Sequence, residues 1–209
     1  MNIYIINSYH SSVQKMLLDK LGTILALFFS MPIILTIALT LKFLNHGPVF
    51  FIQKRVGKNG RTFKMIKFRT MKVGSDKLQK KFRSMNEADG PVFKIYNDPR
   101  LTPVGKILFQ TGFDEIPQLF NVLKGEMSIV GPRPLPLNEA RKLTKKQKVR
   151  ELVKPGITST WVVGGSHSLS FNQWMRLDKK YVENASLIID LTIFYQTFFI
   201  VFRQILRYL

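Results

Sequence analysis

Residues 21–41 read LGTILALFFSMPIILTIALTL and contain no charged side chain. About 20 apolar residues are enough to cross a bilayer as a helix. Pro32 lies near the middle of this run, where a proline removes a backbone donor and clashes with the preceding turn. The Ser30 hydroxyl can bond to a carbonyl that is freed in this way. The stretch therefore predicts a membrane helix that is broken or kinked at Ser30 and Pro32.

Both flanks of the apolar run are positively charged. The flanking basic residues are Lys15, Lys20, Lys42, Lys54 and Arg55. Lysine and arginine beside a membrane helix favour the cytoplasmic side, so positive charge at both ends disfavours a full crossing. A helix–break–helix hairpin that enters and leaves the same leaflet satisfies both ends, and a simple spanning helix is the alternative. We expect this re-entrant helix to occupy residues 17–46, after a tail of residues 1–16.

The composition of the chain restricts the class of protein. Its 209 residues include 32 Lys and Arg against 13 Asp and Glu, which gives a net charge of +19. Such an excess attracts nucleic acid, anionic lipid headgroups or phosphorylated substrates. A basic domain beside a long apolar segment favours the membrane surface. A nucleic-acid-binding protein is the alternative, although the sequence contains no recognisable reading motif. The absence of cysteine from the sequence excludes disulfides and thiolate metal sites.

Short extended segments follow the membrane helix. Residues 48–53 and 62–68 resemble strands, and the GKNG sequence at 57–60 predicts a turn because Asn-Gly tolerates positive φ. Residues 54–72 carry eight basic side chains and no acid: Lys54, Arg55, Lys58, Arg61, Lys64, Lys67, Arg69 and Lys72. A solvated charged face is the usual meaning of such a run. A surface that faces an anion is at least as good an interpretation here.

Helical patterns dominate the rest of the chain. We expect helices over residues 115–123 and 138–153, with Asn138 as the N-cap of the second, and a loop over residues 161–170. The apolar run 187–209 is interrupted by charged residues. It predicts a helix that lies in the membrane interface, with a buried core helix as the alternative.

These elements predict an α+β fold that is mostly α. The re-entrant membrane helix is followed by a small basic cytosolic domain of residues 47–186 with short strands. The C-terminal helix of residues 187–209 then lies amphipathically at the membrane interface. We expect the domain to sit on the cytoplasmic face of the membrane.

Several common catalytic motifs are absent from the sequence. It contains no P-loop, no glycine-rich dinucleotide fingerprint and no His-Glu-x-x-His. The three histidines are His10, His46 and His167, which excludes a histidine-rich metal site. His167 lies between two serines, but nothing else supports a hydrolytic triad, so we interpret it as a loop histidine.

The acidic pair Asp114 and Glu115 is the strongest candidate for chemistry. Pro117 fits the first turn of a helix, which places both acids at a helix N-terminus. Acids there are commonly caps. In a chain with so few acids, however, the pair also suits a divalent cation that holds a diphosphate. Nearby cations would keep one carboxylate ionised as a nucleophile, while the other binds metal or accepts a proton.

Arg133 lies between two prolines in the segment GPRP at residues 131–134. Proline fixes φ, so a stiff backbone presents the guanidinium. Arginine binds phosphate through two parallel hydrogen bonds. An ordinary turn is the alternative interpretation of this segment.

Several ordered motifs together resemble the bacterial sugar transferases, the monotopic phosphoglycosyl transferases of polysaccharide and glycan assembly. The matching segments are KRVG (54–57), KFRTM (67–71), DPR (98–100), DEIPQLFNVL (114–123), GPRP (131–134), KPGIT (154–158), and Asp178 with YVEN (181–184). The resemblance covers nearly the whole chain from about Leu17. It implies a re-entrant helix broken at a Ser/Pro site, which matches Ser30 and Pro32.

The resemblance also implies a reaction. The aspartate of the acidic pair attacks the sugar-bearing phosphate of a UDP-sugar and expels UMP, and undecaprenyl phosphate then takes the sugar phosphate. Mg²⁺ assists. The implied site residues are Asp114 as nucleophile, Glu115 as its partner in proton transfer or metal binding, and Lys67, Arg69, Arg133 and Asp178 as substrate contacts. The implied partners are membrane lipids and downstream glycosyltransferases, with no nucleic acid.

The chain departs from the family pattern around the acidic pair. Phe109 stands where the family usually has Arg, and Thr-Gly-Phe at 111–113 replaces Thr-Ser-Leu. In the loop after Thr158, the usual Gln, Asn and Arg correspond to Val162, Gly164 and Ser166. These changes remove phosphate or sugar contacts. They imply a different donor sugar or reduced activity, so a catalytically weak membrane scaffold of glycan assembly is the alternative function.

Overall fold

The computed structural model describes residues 6–44, 47–165 and 169–207. The α-helices are α1 (Val13–Leu44), α2 (Pro103–Thr111), α3 (Leu119–Leu123), α4 (Leu137–Ala140), α5 (Thr160–Val163), α6 (Phe171–Asn184) and α7 (Leu187–Leu206). The strands are β1 (Phe50–Val56), β2 (Thr62–Phe68), β3 (Ser128–Val130) and β4 (Gly156–Thr158). Short 3-10 helices span Ser8–Ser11, Lys58–Gly60, Ser75–Leu78, Arg83–Met85, Phe113–Gln118 and Gln147–Leu152. Helices thus predominate over two small sheets, in agreement with the predicted α+β class.

Helix α1 begins at Val13, inside the segment assigned to the N-terminal tail, and its backbone is helical through Ser30 and Pro32. Residues 45–46, the predicted end of the membrane helix, lie outside the described residues. The sequence predicts a hydrogen bond from the Ser30 hydroxyl to a freed carbonyl. This prediction is wrong, because Ser30 Oγ has no hydrogen-bond partner among the described residues. Thr36 Oγ1 instead donates to the Pro32 carbonyl oxygen, at 2.9 Å. The re-entrant break at this position stays a prediction.

Strands β1 and β2 form the antiparallel hairpin expected from the turn signal. Asn59 and Gly60 adopt positive φ angles of 56° and 73° at the turn, as predicted. Strand β1 begins two residues later than expected, at Phe50. Phe51 pairs with Lys67 across the hairpin. Because alternate residues of a strand share a face, Phe51, Arg55 and Lys67 lie on one side of the hairpin.

The single helix predicted over residues 138–153 is wrong. Two short helices, α4 and the 3-10 helix Gln147–Leu152, replace it, and Asn138 lies inside α4 rather than at its N-cap. The break occurs because Thr144 starts the second helix. Its Oγ1 accepts from the Gln147 backbone N–H, and Gln147 Oε1 accepts from the Thr144 N–H. Reciprocal bonds of this kind stabilise a helix start within a run that otherwise favours helix.

Helices α1 and α7 are each long and apolar enough to cross a membrane. Their large apolar side chains are mostly exposed, including Phe28 at 74% and Ile188 at 76%. Exposed apolar surface of this extent marks a site of membrane or protein contact. The alternative of a buried core helix at the C-terminus is therefore wrong, although residues 208–209 of that prediction lie outside the described residues. The chain has the apolar helices expected of a membrane protein.

The first turns of α1 are anchored to the domain by buried charges that the sequence patterns did not predict. Lys15 Nζ donates to Asp190 Oδ2 of α7 at 2.6 Å and to the Val130 carbonyl oxygen at 3.0 Å. Asp19 Oδ1 accepts from the Ser128 hydroxyl at 2.8 Å. One buried polar network therefore holds α1, β3 and α7 together, although the exposed faces of both helices are mostly apolar.

Candidate active site

The acidic pair lies where the sequence predicted it, in the first turn of a helix. Gly112 ends α2 with a φ of 75°, a left-handed conformation that favours glycine, and turns the chain into the 3-10 helix Phe113–Gln118. Asp114 and Glu115 occupy the first turn of that helix. This tight connection fixes the two adjacent carboxylates relative to strand β2, which packs against the same helix.

Asp114 is buried, with only 3% of its surface exposed. Its Oδ2 lies 3.7 Å from Lys67 Nζ, on strand β2. Burial raises the pKa of Asp114 to about 6, because the charged form loses hydration, while the Lys67 ammonium opposes this rise. The carboxylate form therefore predominates at neutral pH, as a nucleophile requires.

Glu115 makes a two-point ion pair with Arg133. Arg133 donates from Nη2 to Glu115 Oε1 at 2.6 Å and from Nη1 to Oε2 at 3.3 Å. Burial disfavours the charged form of Glu115, but the Arg133 guanidinium outweighs it and holds the pKa of Glu115 below its usual value. The two acids thus differ in their partners, because Glu115 forms a two-point pair with a guanidinium, whereas Asp114 has a single, longer contact with the Lys67 ammonium among the described residues.

A cavity of about 510 Å³ lies beside the acidic pair. Its wall includes Lys67 and Arg133, the cations that contact Asp114 and Glu115. Seven basic side chains line it in total: Arg55, Lys67, Arg69, Lys72, Lys94, Arg100 and Arg133. The acids in the wall are Glu139 and Asp98, and Asp98 is already paired with Arg100. The cavity therefore suits a polyanion, as the basic run of residues 54–72 predicted.

Arg69 lies in the cavity wall but is partly engaged by the backbone. Its Nε donates to the Pro48 carbonyl oxygen at 2.9 Å, and its Cζ lies 5.5 Å from the centre of the Phe51 ring. The guanidinium therefore stands at the edge of the hairpin, on the same side as Lys67. This placement agrees with the expected substrate contact and does not by itself test it.

Of the predicted site residues, Lys67, Arg69 and Arg133 line the cavity, whereas Asp114, Glu115 and Asp178 do not. Asp178 is fully buried. Its Oδ2 lies 2.8 Å from Arg150 Nε, and Arg150 Nη2 donates to the Arg133 carbonyl oxygen at 2.6 Å. The geometry therefore gives Asp178 a positioning role, in which it holds Arg150 against the backbone that carries Arg133.

The sequence patterns missed several side chains in the cavity wall. Lys94, Glu139 and Trp161 line it alongside the predicted cations. Trp161 lies in the helical turn α5, in a segment predicted to be loop. A tryptophan inside a glycine- and serine-rich stretch was the available signal, whereas a lone lysine at residue 94 gave none. Among the family departures, Phe109 also lines the cavity, and Ser166 lies outside the described residues. The predicted loop histidine, His167, lies outside them as well.

The acidic pair can be tested for its fit to Mg²⁺. Over residues 6–44, 47–165 and 169–207, no cluster of three or more His, Cys, Asp or Glu side chains could hold a metal ion. Mg²⁺ usually keeps several waters and binds through one or two carboxylates together with substrate phosphates. Asp114 and Glu115 fit that donor set, provided that a diphosphate in the cavity supplies the remaining oxygens. The Mg²⁺ expectation stays a prediction.

The chain combines two apolar helices with a buried acidic pair beside a cation-lined cavity. Residues 10–204 match the model of one protein family, described as "Bacterial sugar transferase". The chain belongs to the bacterial sugar transferase family, which confirms the resemblance found in the sequence.

Three relatives have names that state a pathway or an enzymatic activity. The chain is 37% identical to "Exopolysaccharide production protein ExoY" of Sinorhizobium fredii, covering 88% of this chain and 84% of that protein. It is 38% identical to "Undecaprenyl-phosphate galactose phosphotransferase" of Salmonella typhimurium, covering 76% and 34%. It is also 38% identical to "UDP-glucose:undecaprenyl-phosphate glucose-1-phosphate transferase" of Xanthomonas campestris pv. campestris, covering 87% and 37%. The chain thus spans about a third of the length of the last two relatives. The predicted enzyme class is confirmed at the level of the family.

Proposed function

We propose that this chain transfers a sugar 1-phosphate from a UDP-sugar to undecaprenyl phosphate and releases UMP. This would be the first membrane step of a bacterial polysaccharide or glycan pathway. The names of the Salmonella and Xanthomonas relatives support transfer to a polyprenyl phosphate carrier. The observation that carries the proposal is the buried Asp114 carboxyl, 3.7 Å from a lysine in the wall of a cation-lined cavity.

The first half of the reaction forms a covalent intermediate. A carboxylate oxygen of Asp114 bonds to the phosphorus that carries the sugar, and the bond from that phosphorus to the bridging oxygen breaks. The electron pair stays on the bridging oxygen, which leaves as part of UMP. Lys67 lies where it can neutralise the charge on the attacked phosphate.

The second half returns the enzyme to its starting state. A phosphate oxygen of undecaprenyl phosphate bonds to the same phosphorus, and the bond to Asp114 breaks to regenerate the free carboxylate. Glu115 keeps Arg133 oriented through both steps by its two-point ion pair. Asp114 and Glu115 would hold a Mg²⁺ against the diphosphate, and the ion would supply charge neutralisation when bound.

The contacts of α1 support the re-entrant arrangement as part of this proposal. Lys15 at the start of α1 bonds to Asp190, and Leu41 near its end is buried in the same cluster as Phe68 of strand β2. A straight helix of 32 residues would extend for about 48 Å. Leu27 and Ile34, between these ends, are buried in the same cluster. Contact along the length of α1 with one small domain favours a helix that stays within one leaflet. The lipid phosphate and the soluble donor then meet at headgroup level, on the cytoplasmic face.

The test is release of UMP by the purified full chain in nanodiscs, with UDP-sugars, undecaprenyl phosphate and Mg²⁺. We expect turnover with at least one donor, and we expect Asp114→Asn to abolish it. Glu183→Gln is the matched control, since this acid forms an exposed pair with Lys179. Full activity of Asp114→Asn would overturn the assignment of the nucleophile.

A second candidate function is a catalytically weak scaffold for downstream glycosyltransferases. It is favoured by one observation, which is that an apolar side chain, Phe109, lines the cavity where the family usually has Arg. This candidate predicts no turnover with any UDP-sugar, together with stable complexes between the chain and other glycan-assembly proteins.

The expectation of no nucleic-acid partner stays a prediction, which a filter-binding assay at low salt would check.

A further inference from the structure

Trp161 is a fixed aromatic surface in the cavity wall. Its ring stacks on that of Trp174, with 4.7 Å between the ring centres and 26° between the planes. Trp174 is buried, so the pair is anchored in the domain core. Two cations lie over the Trp161 ring: Lys94 Nζ at 4.9 Å and Arg133 Cζ at 5.5 Å from its centre. The aromatic face holds both cations at the same part of the cavity.

Lys94 differs from Arg133 in having no anionic partner. Over the described ranges of the chain, no carboxylate oxygen lies within 4.0 Å of its Nζ. Burial, together with the nearby Arg133, lowers the pKa of Lys94 to about 8, and the more distant Glu87 carboxylate opposes this only in part. A half-buried ammonium beside a guanidinium is costly unless an anion lies near both. An anionic ligand that binds beside Lys94 and Arg133 would therefore be stabilised by both cations.

The loop that carries Lys94 is held in place rather than free. Asn86 Oδ1 accepts from the Lys94 backbone N–H at 2.7 Å, and Asn86 Nδ2 donates to the Val92 carbonyl oxygen at 3.2 Å. The Glu87 N–H also donates to the Lys94 carbonyl oxygen at 2.8 Å. A cation on such a braced loop is already positioned for a ligand, which reduces the entropy cost of binding.

The position of the acidic pair shows which part of a nucleotide sugar this site would take. The phosphate that Asp114 attacks must lie beside Lys67, its neighbour. Arg133 contacts Glu115 on one side and Trp161 on the other, so it leads from the acidic pair towards Lys94. The second phosphate of a diphosphate bound there lies on the Arg133 side. That phosphate leaves with the nucleoside.

We propose that Lys94, together with Arg133 and the Trp161 ring, forms the subsite for the phosphate of the leaving nucleoside monophosphate. This inference rests on the proposed function and names a substrate contact beyond it. When the bond between the attacked phosphorus and the bridging oxygen breaks, the electron pair adds negative charge to the departing phosphate. The Lys94 ammonium neutralises that charge as it forms. Trp161 is a positioning residue, since it holds the two cations.

The test measures the affinity of the full chain in nanodiscs for UMP, by calorimetry and by product inhibition. We expect Lys94→Met to weaken UMP binding by about 10- to 100-fold, since a charge-assisted contact is lost. We expect Lys94→Arg to restore most of the affinity, and the kcat/KM for undecaprenyl phosphate to stay unchanged in both variants. Lys145→Met is the matched control, because Lys145 is exposed and does not line the cavity.

The outcomes separate this inference from the proposed function. If Lys94→Met binds UMP as tightly as the wild type, or lowers only the kcat/KM for undecaprenyl phosphate, the subsite assignment is overturned even though transfer persists. If the wild type turns over no UDP-sugar but binds UMP in a manner that depends on Lys94, the subsite stands and the transfer proposal fails. Thermal unfolding of each variant verifies that the fold is retained.

Discussion

Lys67 Nζ lies 3.7 Å from Asp114 Oδ2, so that strand β2 holds an ammonium against a carboxyl that is almost fully buried. The two residues are 47 positions apart in the sequence, and the contact between the hairpin and the 3-10 helix Phe113–Gln118 brings them together. Burial raises the pKa of Asp114 to about 6, and Lys67 is the cation that opposes this rise most strongly. This contact therefore sets the pH range in which the attacking form exists.

The rate of UMP release in the first half-reaction should rise with pH, reach half of its maximum at about pH 6 and level off at higher pH, because only the Asp114 carboxylate can attack. Removal of the Lys67 ammonium takes away an interaction that favours the carboxylate, so Lys67→Met should move this limb to higher pH. Single-turnover kinetics across pH 4–9 check the shift. Lys145→Met should leave the limb in place, and a limb that moved to lower pH in Lys67→Met would contradict this account.

Arg133→Lys should lower kcat/KM for the UDP-sugar by about 10- to 100-fold, because an ammonium cannot form the fork-shaped pair with Glu115. The variant keeps the charge, so any loss reports geometry rather than electrostatic attraction alone. Steady-state kinetics measure the effect. Arg141→Lys, on the exposed surface, serves as the control. Equal activity of Arg133→Lys and wild type would show that the two-point contact is dispensable.

Asp178→Asn should destabilise the fold by about 3–5 kcal/mol, because it leaves the buried Arg150 guanidinium without a counter-charge. The exposed pair of Lys179 and Glu183 provides the comparison, and Glu183→Gln should cost less than about 1 kcal/mol. Denaturant unfolding in detergent measures both values. A stable Asp178→Asn variant with a raised KM for the UDP-sugar would instead make Asp178 a direct substrate contact, as the family resemblance first implied.

The re-entrant topology can be tested by cysteine labelling, since the natural sequence contains no cysteine. Ser11 precedes α1 in the sequence and Lys58 follows it, and both side chains are exposed, so each can be replaced by cysteine. Both should react with a membrane-impermeant maleimide only in inside-out vesicles, whereas Phe28→Cys should stay protected in the lipid. Labelling of Ser11→Cys from the periplasmic side would show that α1 spans the bilayer.

Local patterns predicted the elements whose structure depends on neighbouring residues. The β1–β2 hairpin was predictable because Asn59 and Gly60 set a turn by their own backbone preferences. The acidic pair was placed correctly in the first turn of a helix, although Pro117 lies inside that helix rather than in its first turn. The helix over residues 138–153 was mispredicted because the bonds between Thr144 and Gln147 start a new helix within a run of good helix formers.

Contacts between distant parts of the chain could not be predicted in this way. Lys15 and Asp190 are separated by 175 residues, and each looks like an interruption of an apolar helix until the fold pairs them. The family resemblance gathered Lys67, Asp114 and Arg133 into one site without giving their geometry. The partners of the two acids, and the position of Lys94 over the Trp161 ring, follow only from packing.

The most direct test of the central claim is mass spectrometry of the enzyme trapped with a UDP-sugar and Mg²⁺ in the absence of undecaprenyl phosphate. Rapid acid quench and peptide mapping locate any attached sugar phosphate. The account predicts an adduct on the peptide that contains Asp114, lost in Asp114→Asn and released when undecaprenyl phosphate is added. A sugar phosphate attached to any other residue, or UMP release at the wild-type rate from Asp114→Asn, would contradict it.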